Sequence, residues 1–146
     1  METAITTNGQ QPLHAINDTP MLELLKQAIP SLSALYMFGS QATGHAGPDS
    51  DLDLAVLADE PLGAEKLWDL SSQLADIARC HVDLLDLRAA STVMQYRIIT
   101  TGKRLWAQGS QAALYESFIL SQKTALDEAR AGLLQDIQTR GTVYGR

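Results

Sequence analysis

The chain has 146 residues, 11 Lys plus Arg against 17 Asp plus Glu, and a formal charge of −6. That length suits one domain of about 100–150 residues with its own core, and a single cysteine, Cys80, excludes an internal disulfide and fits a reducing cytoplasm. The acidic balance argues against a general nucleic-acid binder, and no apolar run approaches the ~18–20 residues that cross a bilayer.

Residues 1–18 are rich in Thr, Asn and Gln without a period and are expected to form a flexible arm. A single domain is expected over 19–138. It opens with a helix capped by Asp18 or Thr19, with Pro20 at its first position, that runs to about Ala28 and is stopped by Pro30. Leu32–Phe38 and Leu52–Leu57 are short apolar runs that suit strands. Between them Gly39–Ser50 holds three glycines and Pro48 and reads as a loop. Ala64–Arg79 carries Leu67, Leu70, Leu74 and Ile77 at helical spacing. His81–Leu87 is a third strand-like run, and Ser91–Thr101 a further helix stopped by Gly102. Lys103–Ala107 suits an edge strand, and Gln111–Gln138 a long last helix. Its stripe of Leu114, Phe118, Ile119, Leu126 and Leu133 is expected to pack on the domain's own sheet, with partner binding the sharper alternative. Residues 139–146 form a tail in which Tyr144 has no assigned role. The order predicts an α/β (α+β) fold: a small mixed β-sheet flanked by helices, ending in a long C-terminal helix.

The charge is unevenly distributed. Residues 1–87 carry three bases against thirteen acids, a net −10, and residues 88–146 carry eight against four, a net +4. Within the acidic half, Asp51 and Asp53 stand two apart on a predicted strand and so share a face, with Leu52, Leu54 and Val56 on the other. Neighbouring carboxylates repel, and Mg²⁺ removes the conflict because it takes hard oxygen ligands, commonly one or two carboxylates plus phosphate oxygens. Ahead of them Gly39 allows close backbone approach to a ligand, and Ser40 offers a hydroxyl and an N–H to a phosphate. If the strand bearing Asp83 lies alongside, three acids meet, an arrangement suited to two-metal phosphoryl transfer. Asp86, three residues on, would face the opposite side. A Gly-Ser followed after ten residues by Asp-x-Asp arises by chance in roughly one chain in 300 of this composition.

Gly39-Ser40, the Asp51-Leu52-Asp53 triplet and Asp83 together resemble the signature of the DNA polymerase beta-type nucleotidyltransferases, over roughly residues 20–107. The small size and the stretches FGSQATG and SDLDLAVL are similar to the minimal nucleotidyltransferase antitoxins that pair with HEPN-domain toxins. The resemblance selects Asp83 over Asp86. It implies the polymerase beta-like fold, two Mg²⁺ ions with ATP as substrate, Asp51, Asp53 and Asp83 as catalytic metal ligands, and Gly39 and Ser40 on the β- and γ-phosphates. It further implies a HEPN toxin partner in a hetero-oligomer, modified by AMP on a tyrosine hydroxyl, with no direct nucleic-acid or membrane contact. Many relatives carry arginines in the loop, as Gly-Ser-Arg-x-Arg-Gly; Gln41 and Thr43 stand there instead, so those phosphate contacts are missing.

Two other functions stand beside this one: an antitoxin that acts by binding alone, and a small-molecule transferase of the aminoglycoside-modifying kind. Arg97, Lys103 and Arg104 follow the acidic strands and would face either the triphosphate, a partner or solvent. His81 beside Cys80 falls short of the four ligands zinc normally takes, and Cys80 reads as an apolar filler.

Overall fold

A computed structural model describes residues 18–44 and 50–139. The expected arm before Asp18, loop residues His45 and Asp49, and the tail from residue 140 with Tyr144 lie outside those residues. The elements in chain order are α1 (Asp18–Ala28), β1 (Leu32–Phe38), a one-turn helix α2 (Ser40–Thr43), β2 (Leu52–Ala58), α3 (Ala64–Ala78), β3 (Val82–Asp86), a 3₁₀ turn (Leu87–Ala89), α4 (Thr92–Thr101), β4 (Lys103–Ala107) and α5 (Gln111–Thr139). Each predicted strand and long helix is present. The glycine-rich segment differs from a plain loop, because Ser40–Thr43 closes a helical turn on the Gly39 carbonyl, which accepts from Ala42 and Thr43 N–H. Among the described residues no helix is long and apolar enough to cross a membrane.

The four strands form one mixed sheet in the order β3-β2-β1-β4. β1 runs antiparallel to β2 and β4, whereas β2 and β3 are parallel, joined through α3. All seven β1 residues are buried, as a central strand covered on both faces requires. On one face Leu35, Met37, Leu52, Leu54, Val56, Val82 and Leu84 pack under Met21 and Leu25 of α1 and Leu70 and Leu74 of α3. On the other, Ala34, Tyr36, Phe38, Ala55 and Leu57 pack under Ile98 of α4 and Ala112 and Ile119 of α5.

The start of α5 is pinned to β1 by polar contacts as well. Ser33 Oγ lies 2.6 Å from Gln111 Oε1, and the Tyr36 hydroxyl donates to Glu116 Oε2 at 2.7 Å, where Arg104 also donates at 3.1 Å. Burial, then the Glu116 carboxylate, pushes the Tyr36 hydroxyl well above the usual tyrosine range. Beyond these first turns the helix leaves the domain. Of the expected stripe only Ile119 is fully buried; Leu126 is half-buried, and Leu114, Phe118 and Leu133 are exposed. Every residue from 127 to 135 is exposed. The stripe was expected on the sheet, but a 29-residue helix is about 43 Å long, longer than the sheet is wide, and among the described residues nothing covers its far half.

The Tyr36–Glu116–Arg104 cluster gives an ordered pair of expectations. Tyr36→Phe leaves Glu116 paired with Arg104 and costs about 1 kcal/mol, whereas Glu116→Ala strands a buried hydroxyl and costs more, about 1–3 kcal/mol. Urea denaturation of both variants checks the order.

Candidate active site

The site forms where β1 ends and β2 and β3 begin. Phe38, the last residue of β1, pairs with Asp53, and Asp53 stands directly opposite Asp83 in the parallel β2–β3 register. Asp53 points to the same side as Ala55 and Leu57, toward α4, and alternation puts Asp51 and Asp83 on that side too. The three acids expected to converge from sequence are therefore neighbours. Asp51 and Asp83 are exposed and Asp53 half-buried.

Close approach by the glycine loop is built into Asp53's surroundings. Gly39 adopts φ 77°, ψ −156°, a backbone state that residues with a Cβ rarely hold. A Cβ at Gly39 would also strike the Asp53 carboxylate. Gln41 donates from its amide to the Ser50 carbonyl at 3.4 Å and so ties the helical turn to the residue before Asp51. Ser40 is half-buried, and no hydrogen bond from its hydroxyl is found among the described residues.

The acids are in electrostatic conflict. Burial raises the Asp53 carboxyl above the usual carboxylate range, and the charges of Asp83 and Asp51 raise it further, against a smaller opposing effect of His81. His81 Nε2 lies 3.2 Å from Asp83 Oδ1. Ligating atoms of Asp51, His81 and Asp83 all come within 4.8 Å of one another. His81, set aside in the sequence as too little for zinc, thus joins the cluster because the strand start brings it beside Asp83. Three carboxylate groups on adjacent strand ends, mutually repelling and open to solvent, fit a hard divalent cation such as Mg²⁺.

Asp86 takes no part in this cluster. It is buried, its Oδ2 accepts from Leu62 N–H and its Oδ1 from Arg88 N–H, so it caps the 3₁₀ turn and holds the loop before α3. Cys80 is half-buried against the core, with its thiol pushed up by burial and by Asp51.

A cleft of about 440 Å³ opens beside Asp53, lined by Phe38, Gly39 and Thr43 on one wall and Met94, Arg97 and Thr101 of α4 on the other. These α4 positions recur at i, i+3 and i+7 and so share one helix face. Of the three bases left undecided by sequence, only Arg97 reaches this cleft. Arg104 is engaged by Glu116, and Lys103 pairs with Met37 on the far edge strand. The signal for Arg97 was present in the helical spacing, but the face that α4 buries had to be known first.

A glycine turn packed on Asp53, paired strand-end acids and a cleft with Arg97 on its wall fit the requirements of nucleotidyl transfer. The profile of the polymerase beta nucleotidyltransferase family matches residues 21–111, and the chain belongs to that family. It is 34% identical over 125 residues to the protein adenylyltransferase MntA of Shewanella oneidensis, spanning 86% of this chain and 90% of that one. It is 27% identical over 121 residues to the protein adenylyltransferase MntA of Aphanizomenon flos-aquae, spanning 75% and 81%. Among solved structures it is similar to a toxin–antitoxin crystallised with AMP-PNP, with TM-score 0.74, 35% identity and coverage of 84% of this chain and 98% of that one. It is also similar to the complex of tri-AMPylated Shewanella oneidensis HEPN toxin with MNT antitoxin, with TM-score 0.69, 33% identity and coverage of 84% and 97%.

The raised Asp53 carboxyl has a measurable consequence. The native state keeps this proton to higher pH than the unfolded chain, whose value lies near 3.9, so metal-free stability falls as pH rises through the window opening at about pH 4. Asp53→Asn removes the conflict. In chelator at pH 7 the variant is expected to melt ~2–4 °C above the wild type, the gap closing below about pH 4. Millimolar Mg²⁺ then raises the wild-type midpoint more than the variant's. A variant that melts below the wild type in chelator at pH 7 contradicts the repulsion.

Proposed function

We propose that this chain transfers AMP from ATP to a tyrosine hydroxyl of a cognate HEPN toxin ribonuclease and thereby acts as its antitoxin. The observation that carries the reading is Asp53 facing Asp83 across the parallel strands, with Asp51 on the same side and Gly39-Ser40 against them. The likeness to two protein adenylyltransferases, of which the matches span 90% and 81%, supports it.

In this reading Asp51, Asp53 and Asp83 hold two Mg²⁺ ions, which would neutralise phosphate charge and favour ionisation of the attacking hydroxyl. Gly39 and Ser40 hold the β- and γ-phosphates through backbone approach and the free hydroxyl. Arg97, on the opposite wall of the cleft, supplies the positive charge that Gln41 and Thr43 do not. The acceptor oxygen forms a bond to the α-phosphorus, the bond from that phosphorus to the β-bridging oxygen breaks, and pyrophosphate leaves with the electron pair. The phenolic proton passes to the Asp83 carboxylate and on to solvent. The work is positioning and charge neutralisation, which a small domain can supply. The added AMP brings bulk and negative charge to the toxin and would obstruct RNA. The exposed Leu114 and Phe118 of α5 and the projecting half of that helix support a protein partner.

Incubation of the chain and the co-expressed toxin with labelled ATP, followed by mass spectrometry, is expected to show toxin gaining whole adenylyl units. Asp51→Asn with Asp53→Asn is expected to lower this transfer by at least ~10²–10³-fold, the scale of losing a single preorganised electrostatic group. Neutralisation that persists in the double variant without labelled toxin would leave binding alone as the mechanism. Arg97→Ala is expected to raise KM for ATP about tenfold, a loss of about 1.4 kcal/mol, with partial recovery in Arg97→Lys.

A further inference from the structure

A second, smaller hollow lies on the other flank of the acids, away from the Arg97 cleft. It has a volume of about 140 Å³ and is formed by Trp68, Ser71, Ser72 and Ala75 of α3 with His81 and Asp83 at the start of β3. The four helical residues recur at i, i+3, i+4 and i+7 and so line one side of α3, with Ala75 at the border of the core that Leu67, Leu70, Leu74 and Ile77 meet. The wall is fixed in place, because Leu84 N–H of β3 donates to Ser71 Oγ at 3.2 Å. Trp68 is 75% exposed, more than any other large apolar side chain described. It serves no core and makes no ring or cation contact among the described residues.

We propose that this hollow is the acceptor subsite, in which the ring of the acceptor tyrosine lies against Trp68 and Ala75 with its hydroxyl at Asp83. The inference rests on the transferase reading above and adds to it the residue that selects the acceptor. Three observations meet here. The hollow shares Asp83 with the metal-binding cluster, so a hydroxyl placed in it is beside the reacting centre. It shares no lining residue with the Gly39–Arg97 cleft, which leaves the nucleotide and the acceptor separate walls. Its volume is close to the ~150 Å³ that admits one benzene ring, with an aromatic wall suited to offset or edge-to-face contact. A serine or threonine hydroxyl has no ring to fill this space, so the subsite favours an aryl hydroxyl.

The test uses the full chain with the intact HEPN toxin as acceptor. Trp68→Ala is expected to raise KM for the toxin about five- to tenfold, the size of one aromatic contact, with KM for ATP and the melting midpoint unchanged. Trp68→Phe is expected to recover most of the loss and Trp68→Leu, apolar but without a ring, little of it, which separates an aromatic contact from space filling. Unaltered KM for the toxin in Trp68→Ala overturns the subsite. An independent readout keeps it separable from the transferase reading: in a Trp106→Phe background, where Trp68 is the sole tryptophan, 4-ethylphenol is expected to change the indole emission saturably and cyclohexanol to leave it unchanged. No saturable response to the phenol overturns the subsite. A saturable response in a chain that leaves the toxin unmodified upholds the subsite and removes only the transferase.

Discussion

The organisation of this molecule depends on one costly juxtaposition, the parallel pairing of β2 and β3 that sets Asp53 opposite Asp83. Like charges at adjacent strand ends repel, and burial of Asp53 sharpens the conflict. The sheet imposes this arrangement because the other face of the same strands is committed to the core. Leu52, Leu54 and Val56 on β2 and Val82 and Leu84 on β3 are buried under α1 and α3. A slip of one residue in either strand would turn those side chains to the opposite face of the sheet and the acids toward α1 and α3. The hydrophobic face thus holds the acidic face in register, and a divalent cation held there would relieve the strain that register creates.

Around that point the fold supplies two different walls. On one side the chain turns sharply out of β1 through Gly39, where a side chain would collide with Asp53, and α4 brings Arg97 over the opening. On the other side α3 lays its Trp68–Ala75 face beside Asp83. Both helices are fixed by ordinary packing, Ile98 and Leu74 being fully buried, and each uses a second face for the site. The domain therefore presents two distinct walls to one acidic centre from its own helices.

The long last helix follows a different logic. Its first turns are bound to the sheet by Ser33, Tyr36 and Ile119, whereas residues 127 to 135 are all exposed. Exposed leucines and a phenylalanine along this helix form an apolar surface that the domain itself does not cover, in keeping with a protein that works in company.

The sequence by itself determined the elements and the chemistry of the centre. Short apolar runs and period-3.6 patterns placed the strands and long helices to within a residue or two; spacing put Asp51 and Asp53 on one face, and the motif resemblance pointed to Gly39, Ser40 and Asp83. The placement of partners across the sheet was decided only in three dimensions. That Asp83 rather than Asp86 meets Asp53 follows from the β2–β3 register and from Asp86 being spent on capping the next turn; the family signature anticipated it, but strand alternation alone left it open. Arg97 was left undecided and Trp68 unmarked for the same reason. A helix wheel shows which residues lie together, but which face turns to the core and which to a cleft depends on the elements packed against it. The apolar stripe of α5 misled the sequence reading because hydrophobic spacing records that a surface is to be covered, and only the tertiary structure shows that this domain does not cover it.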